Sequence, residues 1–183
     1  LVGEQELRVV HERARDRRAL ALADAGFDVA ITARTEHEGD AHSEPNTVRA
    51  GDPVVPIPGS LDTTVRAIEA RGRRALPIRM DLLDRDAVIA APQRVLAAWG
   101  RIDVLVNNAI YQGIGTMDRV LDLTPESLTN LLTGNVVHQI VLTQQVLAHM
   151  VEGRGGRIVN MVSGSARLDP QAPAGAGGWG IGY

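Results

Sequence analysis

The side chains of this sequence that could take part in chemistry stand where short apolar runs stop. Four runs rich in Val and Ile read FDVAITA (27–33), RRALPIRM (73–80), IDVLVNN (102–108) and GRIVNMV (156–162). At or directly after their ends come Arg34, Asp81 with Leu82, the NNAI stretch at 107–110, and Ser163. Parallel α/β sheets bind ligands beyond the carboxyl ends of their strands. The spacing therefore predicts that these residues share one binding edge.

Longer patterns with helical periodicity separate the apolar runs, which is typical of βαβ units and a parallel sheet. One predicted helix begins at the N-cap Ser60 and stops at Gly72, and a second runs from Asp84 to Gly100. Pro92 lies inside the second helix, where a proline costs about 3 kcal/mol or kinks the helix. A third, long helix opens with the N-cap Thr124 followed by Pro125.

These elements predict a single α/β domain over residues 1–183. Within it, residues 35–59 hold polar residues, proline and glycine without helical or strand periodicity. We interpret them as a long inserted loop. Loops of this length in compact domains are uncommon and are either functional or mobile.

Composition excludes several classes of function. The formal net charge is -3 and aromatic residues make up 3% of the chain, so neither charge nor stacking surface favours nucleic acid. No cysteine is present, which excludes disulfides, thiolate zinc sites and thiol nucleophiles and fits a cytoplasmic protein. The five histidines are scattered and no apolar run reaches membrane-spanning length, so we expect neither a metal site nor a membrane partner.

Several motifs, in this order, resemble the short-chain dehydrogenase/reductase family. They are DLLD from residue 81, VNNA from residue 106, GNVV from residue 134, GRIVNMVS from residue 156, and the terminal Tyr183. The resemblance covers residues 19–183, and its most specific part is the pairing of LVNNA with GRIVNMVS. It implies a Rossmann-type fold, a doubly wound parallel sheet in three αβα layers, truncated after the fifth strand.

The resemblance assigns cofactor-binding roles to four of these residues. Asp81 and Leu82 match the residues that hold the adenine of a nicotinamide dinucleotide, and Asn107 and Ala109 match the segment on its nicotinamide-ribose side. Without the family context, Asp81 would be interpreted as a polar strand end. Ile110 replaces the glycine that is usual in the family, which predicts an altered loop.

The resemblance also implies three catalytic residues. Asn135 matches an asparagine that anchors a water in a proton relay; the alternative is a helix asparagine bonded to its own backbone. Ser163 matches the serine that binds the substrate oxygen, although a serine after a strand is commonly a turn residue. Tyr183 matches the catalytic tyrosine, which in the family begins a Tyr-x-x-x-Lys motif.

The lysine of that motif matters because a free phenol has a pKa of about 10 and is a poor catalyst at neutral pH. In the family the lysine lowers the pKa of the tyrosine and binds the nicotinamide ribose. The sequence ends at Tyr183, before that position. We therefore expect an incomplete member of the family without measurable turnover. Residues 164–182 either help Trp179 to shape a substrate pocket or form a disordered tail.

Arg34 bears on the choice of cofactor. NAD-specific enzymes place a carboxylate at the end of the second strand to bind the ribose 2′-hydroxyl. Ala33 and Arg34 occupy that place here, and an arginine suits the 2′-phosphate of NADP(H). NADP(H) is thus favoured over NAD(H), with a solvated surface arginine as the alternative.

One family element is missing. The glycine-rich turn Thr-Gly-x-x-x-Gly-x-Gly should follow a first strand near LRVV, but the chain has no glycine between Gly3 and Gly26. Those glycines let the backbone approach a pyrophosphate, which arginines cannot reproduce. Three interpretations stay open. The segment could be a basic nucleic-acid arm, interrupted by Glu12 and Asp16, or the chain could be a relative that has lost cofactor binding. Alternatively, the coding frame has slipped here, and dropping one base would turn Arg15-Asp16-Arg17 into Gly-Ile-Gly.

The resemblance therefore predicts an NAD(P)-dependent oxidoreductase that moves hydride between a nicotinamide cofactor and a small carbonyl or alcohol substrate. The alternative is a non-catalytic Rossmann-fold binding or sensor protein. The long helix over 124–152 resembles one that forms dimers in the family, so the full-length parent is expected to be a homo-oligomer.

Overall fold

A computed structural model describes residues 14–40, 59–114, 118–119, 121–153 and 155–162. These residues form an α/β structure whose strands pair in parallel. The chain packs as two compact units, the first built from described residues 14–38 and 59–79 and the second from residues after 79, together with residues 39 and 40. The prediction of one domain stays a prediction.

The first unit contains two strands and two helices. Strand β1 (Val29–Ala33) pairs in parallel with β2 (Ala75–Arg79), with Val29 opposite Ala75. Helices α1 (Ala14–Asp24) and α2 (Leu61–Glu69) contact each other, and both contact β1. Their apolar faces meet in a buried cluster of four side chains, Leu20, Ala23, Val29 and Ile68.

The second unit repeats the pairing of parallel strands. Strand β3 (Val104–Asn107) lies beside β4 (Arg157–Asn160), with Asn107 opposite Asn160 at the carboxyl end. Helix α3 (Arg85–Trp99) packs against helix α5 (His138–Glu152). Helix α4 (Pro125–Leu132) leads into α5 through one turn of π-helix, Thr133–Val137.

The helix starts predicted from the sequence are confirmed by the cap geometry. The side chains of Ser60, Asp84 and Thr124 each accept a hydrogen bond from the backbone N–H three residues later. Ser60 and Thr63 make a reciprocal capping box, in which Thr63 Oγ1 also accepts from the Ser60 backbone N–H.

One local expectation, the end of helix α2, needs correction. Helix α2 ends at Glu69 rather than at Gly72, which instead lies in the following turn with a φ of 71°. Helix α3 contains Pro92 in its interior, as predicted, and runs through it to a left-handed C-cap at Gly100. Pro92 is buried, so its packing offsets the lost backbone hydrogen bond.

The inserted loop is described only in part. Residues 35–40 contain no helix or strand, as predicted, and residues 41–58 lie outside the described part of the chain. Among the residues described, no helix combines the length and apolar character needed to cross a membrane.

Candidate functional site

Asn107 joins three elements at the carboxyl end of strand β3. Its Nδ2 donates to Asn160 Oδ1 at the end of β4, over 2.8 Å, and to Thr143 Oγ1 of α5, over 3.0 Å. Its Oδ1 is buried and has no hydrogen-bond partner. A buried acceptor without a partner is costly, so this atom is suited to a ligand that brings a donor.

The loop that leaves β3 is bound to one face of the long helix. Gln139 Nε2 donates to the Ala109 carbonyl over 2.7 Å. Asn135 Oδ1 accepts from the Tyr111 backbone N–H over 2.6 Å, and Asn135 Nδ2 donates to the Tyr111 carbonyl over 3.2 Å. Together with Thr143, these helix residues form what we call the polar row: Asn135, Gln139 and Thr143.

The spacing of the polar row explains how its three side chains contact the end of strand β3 and the loop that follows it. Its members are four residues apart on the helix, and their partners Tyr111, Ala109 and Asn107 are two residues apart. Four helical residues rise about 6 Å. Two residues of extended chain rise about 6.6 Å. The two repeats match closely enough for three successive contacts.

The π-helical turn brings the helix close to Tyr111. A Cβ added at Gly134 would lie 2.6 Å from the Cβ of Tyr111, closer than the two atoms can approach. The Tyr111 side chain is itself buried. Glycine at position 134 therefore permits the contact that lets Asn135 reach the Tyr111 backbone. Single π-helical turns inside α-helices are frequent at functional sites.

A second turn, residues 81–84, is fixed by its own side chains and by the helix. Asp81 Oδ1 accepts from the Leu83 N–H over 2.9 Å, and the Asp84 N–H donates to the Asp81 carbonyl over 3.1 Å. The Leu82 carbonyl lies 2.5 Å from Nδ1 of His138, and both His138 and Leu82 are buried.

The structure thus brings most of the predicted residues of the second unit to one helix. Asn107, Ala109 and Asn135 meet along the polar row, while His138 of the same helix contacts the carbonyl of Leu82, next to Asp81. Asn135 is half-buried, and its amide bonds to the Tyr111 loop instead of to its own helix. The interpretation of Asn135 as a self-bonded helix residue is therefore wrong.

The other predicted residues are placed differently. Arg34 lies in the first unit, half-buried, directly after β1. Ser163 and Tyr183 lie outside the described residues.

Sequence reasoning did not identify Tyr111, His138, Gln139, Thr143 and Asn160. The spacing of the polar row was a signal available in the sequence, but polar residues four apart on a helix commonly face solvent. The partners of these residues lie between 24 and 56 positions away in the chain.

The region expected to hold a glycine-rich turn is helical where it is described. Helix α1 begins at Ala14 and includes residues 15–17, which the frame-slip hypothesis would convert to Gly-Ile-Gly. Within the described ranges, positive φ values occur only at glycines, and none of these glycines lies between 14 and 24. Residues 14–24 therefore do not supply a phosphate-binding turn.

The paired parallel strands, their flanking helices and the polar strand ends define a Rossmann-type α/β protein. Residues 56–174, more than half of the chain, match the model of the short chain dehydrogenase family. The chain belongs to this family.

Three known proteins illustrate the similarity. The subunit BbsD of (2S)-[(R)-hydroxy(phenyl)methyl]succinyl-CoA dehydrogenase from Thauera aromatica is 36% identical over 118 residues, which are 62% of this chain and 46% of that protein. A short chain dehydrogenase from Burkholderia cenocepacia, crystallised with NADP, is 35% identical with a TM-score of 0.65, covering 90% of this chain and 56% of that one. NAD+-bound xylitol dehydrogenase is 24% identical with a TM-score of 0.66, covering 90% and 53%.

At 24% identity, the similarity to xylitol dehydrogenase shows only a shared fold. The chain spans about half the length of the relatives it matches.

Proposed function

We propose that the protein is an NAD(P)-dependent oxidoreductase that transfers hydride between a nicotinamide cofactor and the carbonyl or alcohol group of a small molecule. The observation that carries this proposal is the strand exit at Asn107, where a buried acceptor without a partner lies beside a loop held by two helix side chains, Asn135 and Gln139. A ribose hydroxyl would supply the missing donor. The family to which the chain belongs supports the same reading.

In this proposal two turns of the second unit contact the adenine and the nicotinamide ribose of the dinucleotide. The turn at Asp81 and Leu82 would hold the adenine, and Asn107 with Ala109 would line the nicotinamide-ribose side. The bound cofactor would supply or take the hydride. Asn135 holds the nicotinamide-side loop through Tyr111 and, by resemblance, would anchor a water for proton transfer.

Ser163 and Tyr183 complete the proposed reaction by family resemblance alone. Ser163 would orient the substrate oxygen, and Tyr183 would donate a proton to it or accept one from it.

We propose NADP(H) as the preferred cofactor because Arg34 offers a guanidinium directly after β1, where a 2′-phosphate is recognised in the family. The Burkholderia cenocepacia relative with bound NADP is consistent with this preference. Fluorescence titration of the chain with NADPH and with NADH tests whether a nicotinamide cofactor binds and which of the two is preferred. We expect tighter binding of NADPH, and Arg34→Ala should remove the difference. Arg94→Ala, an exposed arginine on α3, is the matched control.

Two results would reject these proposals separately. If neither nucleotide binds, the proposed function fails. If both bind equally before substitution, only the preference for NADP(H) fails.

A second candidate function is a non-catalytic Rossmann-fold binding or sensor protein. The helical backbone at residues 14–24 favours it, because the pyrophosphate would lack a glycine turn in that segment. Saturable NADPH binding without oxidation of NADPH in the presence of a panel of aldehydes and ketones would support this candidate, if it is measured on a chain extended past Tyr183 through the lysine of Tyr-x-x-x-Lys. Measurable turnover would reject it.

We further propose that the protein is a cytoplasmic homo-oligomer. Helices α4 and α5, with the π-helical turn between them, expose an apolar stripe on one face, composed of Leu132, Val136, Ile140, Leu147 and Val151. Exposed contiguous apolar surface commonly marks an interface. A second copy of this helix would cover it, and the absence of cysteine fits the reducing cytoplasm.

A further inference from the structure

His138, the first residue of α5, is a polar side chain that is buried where the helix packs. It is 6% exposed, and Ser60 is the other buried polar residue in the described part of the chain. Its Nδ1 lies 2.5 Å from the Leu82 carbonyl, 56 residues away in sequence. A carbonyl only accepts, so Nδ1 carries the hydrogen and the ring donates from this atom.

The hydrogen bond from His138 goes to the Leu82 carbonyl, which the hydrogen bonds within the 81–84 turn do not hold. Asp81 and Asp84 are bonded to each other through the backbone, and Asp81 also binds the Leu83 N–H. The Leu82 carbonyl points instead to the helix, where His138 meets it. The orientation of the Leu82 peptide is therefore set from α5.

Gln139, the next residue, contacts a different loop. It donates to the Ala109 carbonyl, on the side proposed for the nicotinamide ribose. Successive helix residues point about 100° apart, so neighbours can reach separate segments. The first turn of α5 thus carries one donor for each of the two loops.

We propose that His138 is a positioning residue for adenine recognition, acting through the Leu82 peptide, while Gln139 positions the nicotinamide side through Ala109. This inference rests on the proposed function, because it assumes a dinucleotide at these two loops. It predicts that the two neighbouring residues affect opposite ends of the ligand. A general loss of packing would affect both ends together.

The test uses the full chain and two fragments of the cofactor, adenosine 2′,5′-bisphosphate and reduced nicotinamide mononucleotide, measured by isothermal titration calorimetry. The adenosine fragment has no pyrophosphate, so its binding does not depend on a glycine turn. His138→Leu keeps an apolar body and removes the donor, while His138→Asn restores an N–H close to the position of Nδ1. His149→Leu makes the same change elsewhere on α5 and serves as control.

We expect His138→Leu to weaken the adenosine fragment about tenfold, the effect of losing one ordinary hydrogen bond. Binding of the nicotinamide fragment should be unchanged, and His138→Asn should recover most of the loss. Gln139→Ala should show the reverse selectivity. His149→Leu should bind both fragments like the unsubstituted chain.

Each other outcome counts against the inference. Equal affinity of His138→Leu and the unsubstituted chain for the adenosine fragment overturns it, as does an equal loss for both fragments. If His138→Leu fails to fold, His138→Asn is compared with His138→Gln, whose donor lies one bond further out; equal affinity of these two overturns the inference. If the unsubstituted chain binds neither the fragments nor NADPH, the proposed function is rejected, and the inference that depends on it is rejected as well.

Discussion

The side-chain amide of Asn135 binds both backbone polar groups of Tyr111, accepting from its N–H over 2.6 Å and donating to its carbonyl over 3.2 Å. The pair resembles one rung of a β-ladder in which a side chain replaces the second strand. It satisfies both backbone polar groups of Tyr111, in a loop that has left the sheet. The π-helical turn and the glycine at 134 allow the helix to approach closely enough for this pair to form.

Replacing Asn135 should therefore destabilise the protein. Asn135→Ala leaves the N–H and the carbonyl of Tyr111 without these partners, and we expect the free energy of unfolding to fall by about 1–3 kcal/mol. Urea denaturation followed by circular dichroism measures the change. Gln145→Ala, an exposed amide on the same helix, is the control and should change stability by less than about 0.5 kcal/mol. Equal effects of the two substitutions would contradict the importance of the pair.

Adding a methyl group at Gly134 should separate the helix from the loop. An alanine in a helix is normally more favourable than a glycine by about 1 kcal/mol. Here its Cβ would meet the Cβ of Tyr111 at 2.6 Å, so we expect Gly134→Ala to destabilise by about 1–3 kcal/mol instead.

A double-mutant cycle with Tyr111→Gly isolates that clash, because the second substitution removes the Cβ that Gly134→Ala would meet. On the Tyr111→Gly background the cost of Gly134→Ala should largely disappear. Strict additivity of the two changes in urea denaturation would show that the contact with Tyr111 is not the cause.

The carboxylate of Asp28 should make stability in the first unit depend on pH. It accepts from the Arg74 backbone N–H over 3.0 Å and from the Arg74 guanidinium over 2.7 Å, and Arg73 lies 2.8 Å away. The hydrogen bonds from Arg74 have the largest effect, and with the charge of Arg73 they hold the pKa of Asp28 below its ordinary value of 3.8. A lowered pKa in the folded state means that the ionised carboxylate stabilises folding.

That contribution is fully present above the ordinary pKa and is lost as the pH falls through the lowered one. Asp28→Asn should accordingly be less stable than the unsubstituted chain at pH 7, with the difference shrinking below about pH 4. Thermal melts at several pH values measure it. Asp86→Asn, an exposed acidic residue on α3, is the control. A stability difference between Asp28→Asn and the unsubstituted chain that grows as the pH falls would contradict this prediction.

A charge in the apolar stripe should prevent self-association. Ile140 is 54% exposed at the middle of the stripe, and a buried, unpaired carboxylate in an interface is costly. We expect Ile140→Glu to convert a dimer or higher oligomer into a monomer without loss of helicity. Analytical ultracentrifugation over a range of concentrations measures the mass. Gln145→Glu introduces the same charge outside the stripe and should leave the mass unchanged; a monomeric unsubstituted chain would contradict the proposal.

Local signals in the sequence predicted much of the secondary structure. The caps at Ser60, Asp84 and Thr124 were predictable because a cap is decided by residues three positions apart. The four strands lie inside the four apolar runs, each a little shorter than its run. The π-helical turn was not predicted, because TGNVV carries no local preference for it; the contact between Gly134 and Tyr111 depends on tertiary packing.

The sequence by itself determined the class of this protein, since the order of the strand-end motifs DLLD, VNNA and GRIVNMVS is local information that survives without coordinates. Only the tertiary structure decided which side chains hold those strand ends. Asn135, His138, Gln139 and Thr143 are ordinary polar helix residues in the sequence, and each acquires its role from a partner at least 24 positions away. Hydrogen bonds over such separations depend on how the helix packs beside the strands, and periodicity along a single chain does not encode that distance.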